Sequence, residues 1–169
     1  MTAAPAPVPV APPHCAHVRL QAIIDRPERL RAAVTRVLTS GRRRWLGRTD
    51  LHAYAPLTRW TADRYPPLPS GAPTLHTALT AAATGIGHTG DDDVYGLATA
   101  VMLLSGCPAY ATDPRFSAGP AVTVSLFGFP EDDLTLAVDL ATVVLTTSGA
   151  LTSCHRSTID LMPALAAAG

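Results

Sequence analysis

VRLQAIIDRPERLRAAVTRVLTSG, residues 18–41, changes its hydrophobic period at the middle, and that change decides the fold. Val18, Leu20, Ala22 and Ile24 alternate with Arg19 and Gln21, interrupted only by Ile23, which is the period of a strand with one buried face. Beyond Pro27 the apolar residues Leu30, Ala33, Val34, Val37 and Leu38 recur at i, i+3, i+4, i+7 and i+8, the stripe of an amphipathic helix. Between the two, Asp25-Arg26-Pro27-Glu28 reads as a capping box with proline in the first turn, and Gly41 is the expected C-terminal stop.

The same syntax returns in VTVSLFGFPEDDLTLAVDLATVVLTTSG, residues 122–149. Val122, Val124 and Leu126 alternate with Thr123 and Ser125. Three acids after Pro130 favour a helix N-terminus, and Leu134, Ala137, Val138, Ala141, Val144 and Leu145 form the stripe. Thr147-Ser148-Gly149 echoes Thr39-Ser40-Gly41. Further strands are expected at 51–57, ending at the edge residue Pro56, and at 151–159. Two strand–helix–strand units predict an α+β fold: a ferredoxin-like βαβ…βαβ antiparallel sheet with both helices on one face, so that two apolar stripes and one apolar sheet face bury each other. Residues 58–121 are too long for a hairpin and read as a helical insertion. A proline-rich connector at 65–73 leads to a helix at 74–84, and 94–104, apolar nearly all round the wheel, is a buried helix.

At 169 residues the chain has room for one ordinary domain. The expected division is a disordered Pro/Ala-rich tail at 1–13, holding five prolines, and a single domain at 14–169. Hydrophobic residues at 47% against 15% charged supply a core and argue against disorder throughout. The longest apolar runs fall short of the roughly 20 residues that cross a bilayer, and no basic residue precedes Arg19, so neither a membrane span nor a secretory signal is read. Three cysteines are too few and too odd for a disulfide framework and suit a reducing compartment; a cytoplasmic protein is expected. All thirteen basic residues are Arg, a bias that fits a GC-rich bacterial genome. Their distribution is uneven: residues 1–65 carry eleven Arg against four acids, residues 66–169 two Arg against nine acids. Such asymmetry fits an anion-facing half, self-association, or two ends that compensate each other when folded.

Residues 20–38 resemble the strand–turn–helix opening of ACT-like regulatory domains, in which the strand ends in Asp-Arg-Pro-Gly and the next helix starts at a Leu. Asp25, Arg26 and Pro27 match; Glu28 replaces the glycine, adding a side chain and a charge where a ligand carboxylate would approach. The resemblance implies a small-ligand site at Asp25, Arg26 and Glu28, held at a dimer interface.

Other candidate sites follow from residue chemistry. His14, Cys15 and His17 with Cys154 and His155 carry zinc-type donors, but no Cys pair has the two-residue spacing of a zinc site, so no metal is assigned and no cofactor is implied. Asp91, Asp92 and Asp93 read as a helix N-terminal cap rather than a cation site. Arg42, Arg43, Arg44, Trp45 and Arg48 form a basic segment with an aromatic, suited to phosphate contact and base stacking, and equally to capping a helix C-terminus. His52, His76 and His88 are the histidines a catalytic cleft would draw on, yet no nucleophile, phosphate-loop or dinucleotide motif accompanies them. The reading that follows is a non-catalytic regulatory or interaction module, forming a homo-oligomer and binding a small molecule or protein partner. A small ferredoxin-like enzyme of isomerase, cyclase or oxygenase type, and a nucleic-acid binder using the Arg-rich segment, are the alternatives.

Overall fold

The computed structural model describes residues 15–24, 26–66, 68, 72–86, 94–112, 121–147 and 151–160. The alternating segments form strands β1 (Ala16–Ile24) and β3 (Ala121–Gly128), and the striped segments form helices α1 (Pro27–Trp45) and α5 (Leu134–Thr147). Between α1 and β3 lie α2 (Ala55–Arg59), α3 (Leu75–Thr84), α4 (Val94–Ser105) and β2 (Ala109–Thr112); β4 (Leu151–Asp160) follows α5. The architecture is α+β with an antiparallel sheet. β2, β3 and β1 make three strands, and β4 extends them along β1, in the order β2-β3-β1-β4.

Registers show how the alternation is used. Val18 faces Leu126, Leu20 faces Val124 and Ala22 faces Val122, so the apolar residues of β1 and β3 coincide and all six are buried. The intervening Gln21 and Ile23 are exposed. Above the buried face, α5 packs on β3, β1 and β4, and α1 packs against α4, α3 and α5. α4 packs against α1, α3, α5 and β2 and buries Leu97, Ala98 and the run Ala100–Leu103, which is why its sequence is apolar on every face. No helix among the described residues is long and apolar enough to cross a membrane.

Four sequence expectations are corrected. Residues 51–57 are not a strand: Leu51–Ala53 is a 3-10 turn and α2 begins at Ala55, with Tyr54 extended as its N-cap and Pro56 in its first turn. Ala53 and Ala55 are exposed, so the apparent alternation has no buried face, and a proline that ends a strand also starts a helix well. The second strand is instead β2, inside the segment read as a helical insertion. α1 does not stop at Gly41 but continues one turn to Trp45; Gly41 is a close approach, since a Cβ there would stand 3.1 Å from the Leu103 Cβ. The left-handed residue past the helix is Gly47, at φ +76°. Finally, the N-cap of α1 is Arg26, which makes no side-chain capping bond; Asp25 lies outside the described residues. A reciprocal cap occurs instead at α3, where Thr74 and Thr77 each accept the other's backbone N–H.

Candidate functional site

The site begins at the turn before α5. The acids placed there by the sequence do different work. Asp133 Oδ1 accepts the Leu136 N–H at 3.0 Å and caps the helix, whereas Asp132 points inward. Its side chain is 1% exposed. One oxygen accepts both Arg59 Nε, at 2.9 Å, and an Arg59 terminal N–H, at 2.6 Å. The other accepts the Trp60 indole N–H and the Phe129 backbone N–H, each at 2.9 Å. A buried carboxylate is tolerated only with such a full set of donors. The result is a clamp fastening the end of α2 to the β3–α5 turn.

The clamp sets the walls of a pocket. Held by its indole, Trp60 stacks on Phe129 with ring centres 4.3 Å apart and meets Tyr65 edge-on at 5.9 Å. The Tyr65 hydroxyl accepts the Leu75 N–H at 2.8 Å, at the start of α3, and donates toward the Met102 sulfur at 3.8 Å. Burial pushes its pKa up to about 12, so it stays a neutral phenol. Trp60, Tyr65, Leu57, Pro66 and Leu68 make the apolar lining of a cavity of about 690 Å³, and Thr61, Thr74 and His76 bring polar groups to it. That size and composition suit a small molecule.

The residues singled out from sequence are mostly elsewhere. Arg26 and Glu28 are exposed at the start of α1, away from the pocket lining. Arg42, Arg43 and Arg44 belong to the last turn of α1, not to a loop beyond it. Arg44 donates to the Leu104 carbonyl at 3.0 Å, and Arg48 pairs with Asp50 at 2.9 Å. Trp45 presents no stacking surface to a base: it is 2% exposed, its indole N–H donates to the Leu103 carbonyl at 2.7 Å, and Arg44 and Arg48 lie over its ring. His52 is exposed in the 3-10 turn, His76 reaches the pocket, and His88 and Asp91 to Asp93 lie outside the described residues. His76 is exposed, and the nearby hydroxyls are committed elsewhere, Thr74 to Thr77 and Thr61 to Asp63.

The zinc-type donors are not brought together. The register sets Cys154 opposite Ala22 and His155 opposite Gln21, so along β1 the former falls about 24 Å from Cys15 and the latter about 14 Å from His17 at strand rise. His14 lies outside the described residues, and among the described residues no cluster of His, Cys, Asp or Glu can hold a metal ion. His17 is buried and stacked on Phe127 at 4.3 Å; burial, with Arg19 nearby, holds its pKa below the usual value and keeps it neutral. Burial likewise pushes the Cys15 thiol to about 11 and Cys107 to about 12, with the Asp132 charge adding to both. Thiolate is the reactive form, so iodoacetamide at pH 8 is expected to leave Cys15 and Cys107 unmodified in the folded protein and to label both in denaturant. Peptide mapping reads the outcome, and rapid native labelling of either would contradict its burial. The sign for stability is set by the same shift. A thiol raised in the folded state contributes fully below its unfolded value near 9, and that contribution is lost as pH climbs toward 11.

Sequence reasoning missed Arg59, Trp60, Tyr65 and Asp132. The available signal was the clustering of Trp60 and Tyr65 in a chain only 5% aromatic. No protein-family model, curated protein or solved structure matches the chain.

Proposed function

We propose that this chain is a non-catalytic binding module on a ferredoxin-like plan, and that its ligand is a small, largely apolar molecule with a flat face, seated against Trp60 and Tyr65. The strand order β2-β3-β1-β4 and the contact between α1 and α5 support the plan. The observation that carries the function is the anchoring of both aromatic walls before any ligand arrives: Trp60 through Asp132, Tyr65 through the Leu75 N–H. A ligand meeting such walls orders little on binding, which favours affinity. His76, exposed at the pocket lining, supplies the polar contact that would orient it. An enzyme of the same plan would rest on His76, but neither Arg48–Asp50 nor Arg59–Asp132 offers it an acid partner.

The test uses 1-anilinonaphthalene-8-sulfonate, an apolar aromatic with one polar group, followed by its own emission and by tryptophan fluorescence. One saturable site is expected. Ala62→Trp, which fills the cavity from an exposed backbone position, should weaken it more than about tenfold, equivalent to 1.4 kcal/mol. Arg26→Ala and Glu28→Ala should leave it unchanged. Loss of binding in those two variants with retention in Ala62→Trp would move the site to the turn before α1 and end the pocket reading.

A further inference from the structure

Extending α1 to Trp45 has an effect on charge that the sequence alone conceals. Arg29, Arg36 and Arg43 now belong to one continuous helix at intervals of seven residues. Seven residues are close to two full turns, so the three side chains project along one line, about 10 Å apart and about 21 Å from first to last. All three are exposed, on the side of α1 away from the buried Leu30, Val34, Leu38 and Trp45. Other arginines in the same half are committed: Arg44 to the Leu104 carbonyl, Arg48 to Asp50, Arg59 to Asp132. Among the described residues the side chains of Arg29, Arg36 and Arg43 make no hydrogen bond or ion pair, and Glu28 in the first turn is the one acid of the helix.

We infer that this ridge is a docking surface for the phosphate backbone of a nucleic-acid duplex, independent of the pocket. Guanidinium groups match phosphate oxygens in a planar fork and remain charged at all working pH values. What separates a duplex from an acidic protein is the character of the surface between the arginines. Ala32, Thr39 and Ser40 lie exposed there, with no large apolar or aromatic side chain to form the desolvated centre that protein interfaces use. Thr39 also turns its hydroxyl back onto the Thr35 carbonyl at 2.7 Å. Phosphate binding needs no such centre, since counterion release supplies the affinity. With Trp45 buried, base stacking has no part at this face, and recognition is by charge and is indifferent to sequence.

The experiment is fluorescence anisotropy of the full chain with labelled 20-base-pair duplexes of two unrelated sequences, from 25 to 200 mM NaCl. Both duplexes should bind equally, with affinity falling steeply as salt rises. Replacing Arg29, Arg36 and Arg43 together with Gln should weaken binding at least about tenfold and reduce the logarithmic salt slope by between two and three, about 0.9 for each phosphate no longer neutralised. A control with Arg26, Arg48 and Arg64 changed to Gln removes the same charge from other positions and should retain most of the affinity. Circular dichroism should show both variants folded. Failure of the native chain to bind at 25 mM NaCl, equal losses in the two triple variants, or binding of polyglutamate in place of the duplex would each overturn the inference.

Discussion

Asp132→Ala should destabilise the protein by about 3 to 5 kcal/mol, the loss typical when one partner of a buried ion pair is removed. Four donor bonds end on this carboxylate, from Arg59, the Trp60 indole and the Phe129 backbone. Alanine leaves all of them unmade, and a buried donor without an acceptor costs stability. Arg59 keeps some access to water, with a quarter of its side chain exposed, so the effect arises mainly on the Trp60 and Phe129 side of the clamp. Asp132→Asn should fall between wild type and alanine, because its amide oxygen can still accept one side of the donor set while its NH2 opposes the other. Urea unfolding at pH 7 measures the three proteins. The same variants should lose the pocket's probe binding at temperatures where they remain folded, since Trp60 is then no longer held. A loss below about 1 kcal/mol for Asp132→Ala would mean the clamp is ornamental.

The second large effect is expected at Trp45. Trp45→Ala removes the largest fully buried side chain and should reduce stability by about 3 to 5 kcal/mol. For a domain of this size that corresponds to a fall in melting temperature of roughly 6 to 20 °C. Trp45→Phe should fall short of this, keeping most of the packing against Tyr54 while leaving the Leu103 carbonyl without its indole donor. Differential scanning fluorimetry ranks the variants. If instead Trp45→Ala melted normally and lost only duplex affinity, the residue would be a stacking platform, and its burial beneath Arg44 and Arg48 would be refuted.

These two residues also mark where the sequence was legible. Periodicity exposed β1, α1, β3, α5 and α4, because each spends its apolar residues on one face, or in α4 on all of them. It failed at 51–57, where Leu51, Ala53, Ala55 and Leu57 alternate by accident and Pro56 admits two readings, and at β2, only four residues long. The helix end was misplaced because a glycine can serve tight packing as well as termination, and only the position of Leu103 distinguishes the uses at Gly41. The pocket was illegible for a different reason. Trp60 and Asp132 are 72 residues apart, and no local pattern records that an acid in a row of three capping candidates will turn inward to meet an indole. Hydropathy reports which face of an element is buried; it does not report which polar groups meet inside.

The positive-φ glycine between α4 and β2 carries one more implication. At Gly106, φ is +74° and an added methyl would stand 2.5 Å from the Tyr54 hydroxyl oxygen and 2.7 Å from Pro56 Cγ. The bend that launches β2 is therefore moulded directly against the stretch leading into α2, which in turn presents Arg59 to Asp132. The long middle portion of the chain is consequently no detachable decoration on a minimal sandwich. Trimming it to a short hairpin would take away the edge strand and strip a buried anion of its counter-charge in the same cut.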